Sequence, residues 1–270
     1  MSSYYLGSCS FFYANPLSYF PFSWYNLNKY DSETRGICLK TETLCHGTAV
    51  CVQAAHTFGA DALLLAHFCA IQPQEAAADF GTGCGIIPLR WHDRGHRGAC
   101  TAIDFAPEAL ALLQKSLTIN KIEHITPLCA DINTLSLTDQ FDVIVCNPPY
   151  FSSGKQSQNP ARANARHDDT LKLHTVCRVA KKYLKSDGRL CLSMCSARLC
   201  ELLATLQAEH FTPTRLRLVA ANAQKKPWLV LLEAQKSGTG DVTLLPTLFA
   251  DSAEMQKIYG TKTQIQEEQP

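Results

Sequence analysis

The feature that most constrains the fold is a glycine-rich turn between a short apolar strand and an apolar segment. Residues 76–80 predict the strand, the turn follows over 81–85, and the apolar segment occupies 86–91. Three glycines allow the backbone to turn sharply and to approach a ligand without a Cβ collision. Glycine turns also occur for purely structural reasons, so the residues around this one must decide what it does.

Alternating strand and helix patterns continue after this turn. Pro107 starts a segment rich in Ala, Leu and Gln, which is typical of a helix with proline at its first position. The pattern predicts strands at 48–53, 99–103, 125–129, 141–146, 189–194, 214–219 and 228–233, and helices at 62–69, 107–120, 171–184 and 198–209. Asp61 is expected to cap the first of these helices. The prediction is an α/β, Rossmann-like doubly wound fold, with a mostly parallel sheet and an antiparallel hairpin of the last two strands at its edge.

The chain is expected to contain one main domain with two flanking segments. Residues 1–44 show neither helical nor strand periodicity and predict an irregular N-terminal extension. Residues 45–236 carry the α/β pattern, and 237–270 predict a C-terminal tail that packs on the domain.

Composition limits the partners and the compartment. Lys and Arg number 25 against 24 Asp and Glu, so a basic surface for nucleic acid must be local. No apolar run reaches the roughly 20 residues of a membrane-spanning helix, and no run of signal-peptide character is present. The 13 cysteines lack CxxC spacing and predict reduced thiols without a metal site. We therefore expect a cytoplasmic protein.

Acidic residues accompany the glycine turn at informative positions. Asp79 stands directly before it, and Asp104 follows Gly85 by nineteen residues at the end of the next predicted strand. A carboxylate there can accept hydrogen bonds from both ribose hydroxyls, which favours an adenosine-containing cofactor. The spacing of Gly81, Gly83 and Gly85 is GxGxG, whereas a dehydrogenase is expected to show GxGxxG.

The most specific motif is Asn147-Pro148-Pro149-Tyr150, directly after the predicted strand 141–146. Two prolines fix the backbone, so that the polar and the aromatic side chain project from the end of the strand. The alternative is a purely structural role, in which the two prolines end a buried strand and the tyrosine packs inside the protein.

Together these residues resemble class I S-adenosylmethionine-dependent methyltransferases with an NPPY motif. The resemblance implies that Asp79 and the backbone at Gly81, Gly83 and Gly85 hold the methionine part of S-adenosylmethionine, that Asp104 holds its ribose and that Asp131 contacts its adenine. It implies that the Asn147 oxygen and a proline carbonyl accept hydrogen bonds from a target amino group while Tyr150 stacks on its plane, which makes Asn147, Pro148, Pro149 and Tyr150 the catalytic set. Asp131 can equally be an ordinary turn or cap residue.

Flanking segments resemble one family in particular. Residues 56–66, which contain Phe58-Gly59-Ala60-Asp61-Ala62, are similar to the FGTDA-LLA stretch of the bacterial valine-tRNA adenine-N6 methyltransferase family, and 165–167, 227–233 and 254–260 also resemble it. The sequence departs from that family at Ala60, where Thr is usual. The resemblance implies methylation of the tRNA adenosine immediately 3′ of the anticodon.

Basic residues after the motif are candidates for contacts to RNA phosphates, with Lys155, Arg162 and Arg166 as the predicted substrate-binding set. An NPPY-like motif also occurs in enzymes that methylate release-factor glutamine, rRNA or DNA, so these substrates remain open. A different class of function is also open, in which the chain keeps a methyltransferase fold but only binds RNA and has no catalytic activity. The oligomeric state is left open.

Overall fold

A computed structural model describes residues 39–138, 140–148, 173–236, 238 and 240–259. The strands in these residues are β1 (Lys40–Thr43), β2 (Ala49–Val52), β3 (Ala77–Phe80), β4 (Cys100–Asp104), β5 (Ile125–Cys129), β6 (Phe141–Cys146), β7 (Leu184–Cys195), β8 (Thr212–Ala220), β9 (Leu229–Gln235), β10 (Thr243–Leu244) and β11 (Leu248–Phe249). The α-helices are α1 (Ala60–Phe68), α2 (Ile86–Asp93), α3 (Pro107–Asn120), α4 (Leu173–Tyr183), α5 (Leu199–Ala208) and α6 (Ala253–Tyr259).

The main sheet has the order β10-β8-β9-β7-β6-β3-β4-β5, and β11 also pairs with β8. Strands β3 to β7 are parallel, while β9 is antiparallel to both β7 and β8. The α/β, Rossmann-like prediction is therefore confirmed, and so is the antiparallel pairing of the last two long strands. Beyond β8 the sheet continues with β10 and β11, both of which pair with it in parallel.

Each face of the sheet has its own apolar core. One core contains the buried faces of α1, α2 and α3, and the other contains those of α4 and α5. Burying a large aliphatic side chain is worth about 1.5–3 kcal/mol, so both layers hold the sheet firmly. The central strands are apolar on both faces because both faces are covered.

Helix α3 shows how the sequence dictates one of these layers. Pro107 occupies its first turn, and the buried positions from Ala109 to Leu117 recur at helical spacing. Lys121 ends the helix in the left-handed conformation. The small antiparallel hairpin β1-β2 lies against α3, where the Ser116 hydroxyl accepts from the Cys51 amide at 2.8 Å.

Strand β7 starts earlier than the sequence pattern predicts. We expected a strand from 189 after a break at Gly188, but the strand begins at Leu184, directly after α4. Gly188 lies inside it, where a Cβ would be 3.0 Å from the Phe141 carbonyl oxygen. The β6 register shifts between Phe141 and Val143 at this point, so the glycine accommodates an irregularity and does not end the strand.

Candidate active site

The glycine turn connects β3 to α2 at the carboxyl edge of the parallel strands. Gly81, Gly83 and Gly85 all have positive φ, at 75°, 56° and 80°, which side chains with a Cβ rarely adopt. The amides of Gly81 and Thr82 donate to the Ile103 carbonyl of β4 at 2.8 and 3.0 Å. The turn is thus fixed to the neighbouring strand.

Two of the glycines have different surroundings. A Cβ on Gly85 would lie 2.3 Å from the Leu113 side chain of α3, so this glycine allows close helix packing. A Cβ on Gly83 would meet nothing within 4 Å. The Gly83 backbone therefore faces open space, as a ligand-binding turn requires.

Asp79 is buried beneath this turn, with 1% of its surface exposed. Its Oδ2 accepts a hydrogen bond from the Thr82 hydroxyl at 2.7 Å, while Oδ1 has no hydrogen-bond partner among the described residues. Burial raises the pKa of the Asp79 carboxyl to about 7, the Thr82 hydroxyl opposes this rise and the Asp104 carboxylate adds to it. Such a carboxyl is suited to a cationic ligand group that restores its charge.

Asp104, at the end of β4, supports the turn and its own loop. Its Oδ2 accepts from the Gly83 amide at 2.8 Å and its Oδ1 from the Ala106 amide at 2.9 Å. A carboxylate offers about four lone-pair sites, so these bonds leave capacity for two ligand hydroxyls.

A partly open cleft lies beside Asp104, with about 270 Å³ of space free of protein atoms that includes open solvent. It is lined by Asp131 together with Phe80, Gly81, Ile103, Asp104, Phe105, Ala130 and Ile132. Asp131 also begins a short 3₁₀ turn and accepts the Asn133 amide at 2.8 Å, so its cap role and its place in the cleft coexist.

Phe105 was missed by the sequence reasoning. The residue is 45% exposed although it belongs to the cleft lining, which gives an aromatic surface suited to a planar ring. The signal was present, because an aromatic residue directly follows the acid at the end of β4.

Asn147 directly follows β6 at the same edge as the glycine turn. Cys146 is paired with Phe80, so the residues after these two strands begin side by side. The Asn147 Oδ1 accepts from the Ser193 hydroxyl at 2.5 Å, and its Nδ2 donates to Asp61 Oδ2 at 3.1 Å. Pro148 is buried.

The prediction that Asp61 caps α1 is wrong. Gly59 is the N-cap residue, and no side chain caps this helix end. Asp61 lies in the first turn instead, and its carboxylate is engaged by an amide 86 residues further along the chain. A tertiary partner competes here with the local capping bond that the sequence pattern favours.

The remaining predicted site residues are Pro149, Tyr150, Lys155, Arg162 and Arg166, and all of them lie outside the described residues. Of the basic residues that follow the motif, Lys181 and Lys182 end α4 near the start of β7, at the edge opposite Asn147. Lys185 pairs with Asp142 at 2.7 Å.

A second basic pair lies at the edge that carries Asn147. The exposed Lys225 and Lys226 belong to the β8-β9 loop, whose Trp228 carbonyl accepts from the Ser196 amide just after β7 at 3.1 Å. Sequence reasoning did not select these lysines, although two adjacent lysines beside Pro227 were visible.

No group of three side chains suited to holding a metal ion is found in the described ranges. Over the same part of the chain, none of the helices has both the length and the apolar character that crossing a bilayer would need.

Comparisons with known proteins identify the family of the chain. A family model described as methyltransferase small domain matches residues 44–212. A tRNA1(Val) (adenine(37)-N6)-methyltransferase from Vibrio vulnificus is 31% identical over 135 residues, which cover 48% of this chain and 54% of the relative. One from Shewanella halifaxensis is 29% identical over 183 residues, covering 61% of this chain and 74% of the relative. The match thus spans about half the length of the Vibrio protein.

Solved structures support the fold. A protein described as a predicted O-methyltransferase from Agrobacterium tumefaciens superimposes with a TM-score of 0.60 at 19% identity, covering 74% of this chain and 95% of its own. A tRNA m1G37 methyltransferase from M. jannaschii gives 0.55 at 17% identity, covering 74% of this chain and 57% of its own. At such identities the likeness concerns the fold alone.

Proposed function

Because the chain belongs to the methyltransferase small domain family, we propose that it transfers the methyl group of S-adenosylmethionine to the exocyclic amino nitrogen of a tRNA adenine, the one immediately 3′ of the anticodon. The observation that carries the proposal is the position of Asn147, which follows β6 directly beside the glycine turn after β3. The names of the tRNA methyltransferase relatives support the choice of substrate.

The residues around the turn fit S-adenosylmethionine. The unpartnered Asp79 Oδ1 suits the ammonium of the methionine part, and the open backbone at Gly83 permits its close approach. Asp104 suits the ribose hydroxyls, and the cleft with Phe105 and Asp131 suits the adenine. The bound cofactor supplies an electrophilic methyl group on a sulfonium.

The chain's own contribution is to hold the amino group for in-line attack. The lone pair of an exocyclic amine is delocalised into its ring, so the nitrogen needs acceptors that stabilise the positive charge developing on it. We assign this role to the Asn147 amide oxygen and the Pro148 carbonyl, with Tyr150 stacking on the base. The N–C bond forms as the S–C bond breaks, and the amine then releases one proton to solvent.

An adenine must leave its stack to reach Asn147, and in an anticodon loop this costs little. Lys155, Arg162, Arg166, Lys225 and Lys226 are the proposed contacts to tRNA phosphates. The assignment of Lys225 and Lys226 is supported by their exposure in the β8-β9 loop, at the edge of the sheet that carries Asn147.

The test uses the purified chain, tritiated S-adenosylmethionine and two matched anticodon stem-loops. One carries adenosine 3′ of the anticodon, and the other carries inosine, which lacks the exocyclic amine. We expect label only in the first, recovered as N6-methyladenosine after digestion, and a strongly reduced but measurable rate of labelling in Asn147→Ala. Parallel reactions contain release factor and duplex DNA. Label in a release-factor glutamine, with none in tRNA, would show that the substrate is a protein and would contradict the proposal.

A further inference from the structure

The Asn147 amide is held from two sides by residues from different parts of the chain. Its Nδ2 donates to Asp61 Oδ2 at 3.1 Å, and its Oδ1 accepts from the hydroxyl of Ser193, which is 0% exposed. Asp61 lies in the first turn of α1, and Ser193 lies on β7 beside the end of β6. The amide is therefore clamped between two layers of the fold.

From this geometry we infer that Asp61 is a positioning residue, which keeps the Asn147 amide in the orientation that presents oxygen to the target amino group. This inference rests on the proposed function. An ionised carboxylate only accepts hydrogen bonds, so it selects the NH₂ end of the amide and directs the oxygen away from itself. If the amide rotated by half a turn, its NH₂ group would meet the substrate NH₂ group, and two donors would oppose each other.

Ser193 is compatible with this arrangement. An amide oxygen has two lone pairs, so accepting from Ser193 permits a second hydrogen bond from the substrate. A hydroxyl can either donate or accept, and Ser193 alone therefore cannot select the orientation of the amide. Of the two described partners of the amide, Asp61 is therefore the one that selects its orientation.

Gly59 leaves room for the carboxylate. An ideal Cβ at this position would lie 2.3 Å from Asp61 Oδ1. Gly59 has φ −105° and ψ 173°, an extended conformation that alanine adopts without strain. A methyl group here would displace the Asp61 carboxylate and leave the backbone unchanged. Gly59→Ala is therefore a second probe of the same contact.

The role predicts a specific kinetic pattern. Residues that orient the ligands of a metal site typically contribute about 10- to 100-fold to activity, and we take the same range for a residue that orients the Asn147 amide. We expect Asp61→Ala to lower kcat about 10- to 100-fold and Gly59→Ala to lower it by less, with KM for the amino substrate and Kd for S-adenosylmethionine changed less than about twofold. Asp187→Asn, which removes an exposed carboxylate elsewhere on the chain, is the matched control and should behave as wild type.

A double-mutant cycle separates positioning from a direct or structural role. If Asp61 acts only through Asn147, adding Asp61→Ala to Asn147→Ala should lower kcat by less than about twofold. A full loss in that background, or a Kd for S-adenosylmethionine raised tenfold in Asp61→Ala, would overturn the inference. All variants are compared on whichever amino substrate the wild-type chain methylates. If the wild type does not methylate tRNA, the proposed function is contradicted, but the double-mutant cycle can still be measured on the other substrate.

A readout without turnover tests the contact itself. With ¹⁵N-labelled asparagine, the Asn147 side-chain NH₂ resonances are assigned as those missing in Asn147→Ala. The amide proton that is hydrogen-bonded to a carboxylate resonates downfield of the other proton of the same NH₂ group. We expect this difference in chemical shift to collapse in Asp61→Ala and to shrink in Gly59→Ala. Unchanged Asn147 resonances in Asp61→Ala would refute the positioning role independently of activity.

Discussion

At the scale of single residues, Asp79 combines deep burial with an incompletely paired carboxyl. Its pKa lies at about 7 in the folded chain, against 3.8 for an ordinary aspartate, chiefly because burial disfavours the charge. The folded state therefore holds a proton that the unfolded state releases between these values. The stability linked to Asp79 is fully present below pH 3.8 and is lost as the pH rises through about 7.

Asp79→Asn should make the ligand-free protein more stable at pH 8, by at most about 4 kcal/mol, because no charge is then buried. The same change should weaken S-adenosylmethionine binding about 100-fold, since a neutral amide can accept a hydrogen bond from the ammonium but offers it no opposite charge. Urea unfolding and calorimetric titration at pH 8 measure both effects, with Asp241→Asn as an exposed control. In the wild type, affinity should fall below pH 7. An Asp79→Asn variant that binds the cofactor normally would disprove the assignment.

At the scale of elements, the β8-β9 loop brings two exposed lysines to the edge of the sheet that carries Asn147, while α4 carries another adjacent lysine pair to the opposite edge. Each lysine contact to a phosphate that is removed makes the slope of log K against the logarithm of the salt concentration shallower by about 0.7–0.9. Lys225→Ala/Lys226→Ala should therefore reduce that slope for tRNA by about 1.5, with kcat at saturating tRNA unchanged. Lys181→Ala/Lys182→Ala is the matched control. Equal losses in both variants would mean that neither pair contacts tRNA specifically.

At the scale of the whole molecule, the sequence predicted what depends on local pattern. Strand β6 occupies the predicted residues, because a strand buried on both faces is a nearly continuous apolar run, here interrupted only by the half-buried Asp142. Sequence reasoning failed where a distant partner decides the outcome. The contact between Asp61 and Asn147 joins residues far apart in the chain, and the edge that Lys225 occupies depends on the insertion of β9 between β7 and β8.

The C-terminal helix α6 is linked to the rest of the fold through Arg90, which is 1% exposed. Its guanidinium donates to Asp93 at 2.9 Å and to the Ile258 carbonyl at the end of α6. Met255 and Ile258 of the same helix are buried. Within residues 240–259, this arrangement supports the proposal that the C-terminal segment packs on the domain, and we expect this part to unfold together with it.

Arg90→Ala should lower the free energy of unfolding by about 3–5 kcal/mol, because the buried Asp93 carboxylate loses its charged partner. Most proteins are stable by only about 5–15 kcal/mol, so the effect would be large. Arg97→Ala, an exposed arginine from the same region, should cost less than about 1 kcal/mol. Hydrogen exchange of the α6 amides should rise selectively in Arg90→Ala. If those amides already exchange freely in the wild type while β6 is protected, the C-terminal segment does not unfold together with the domain.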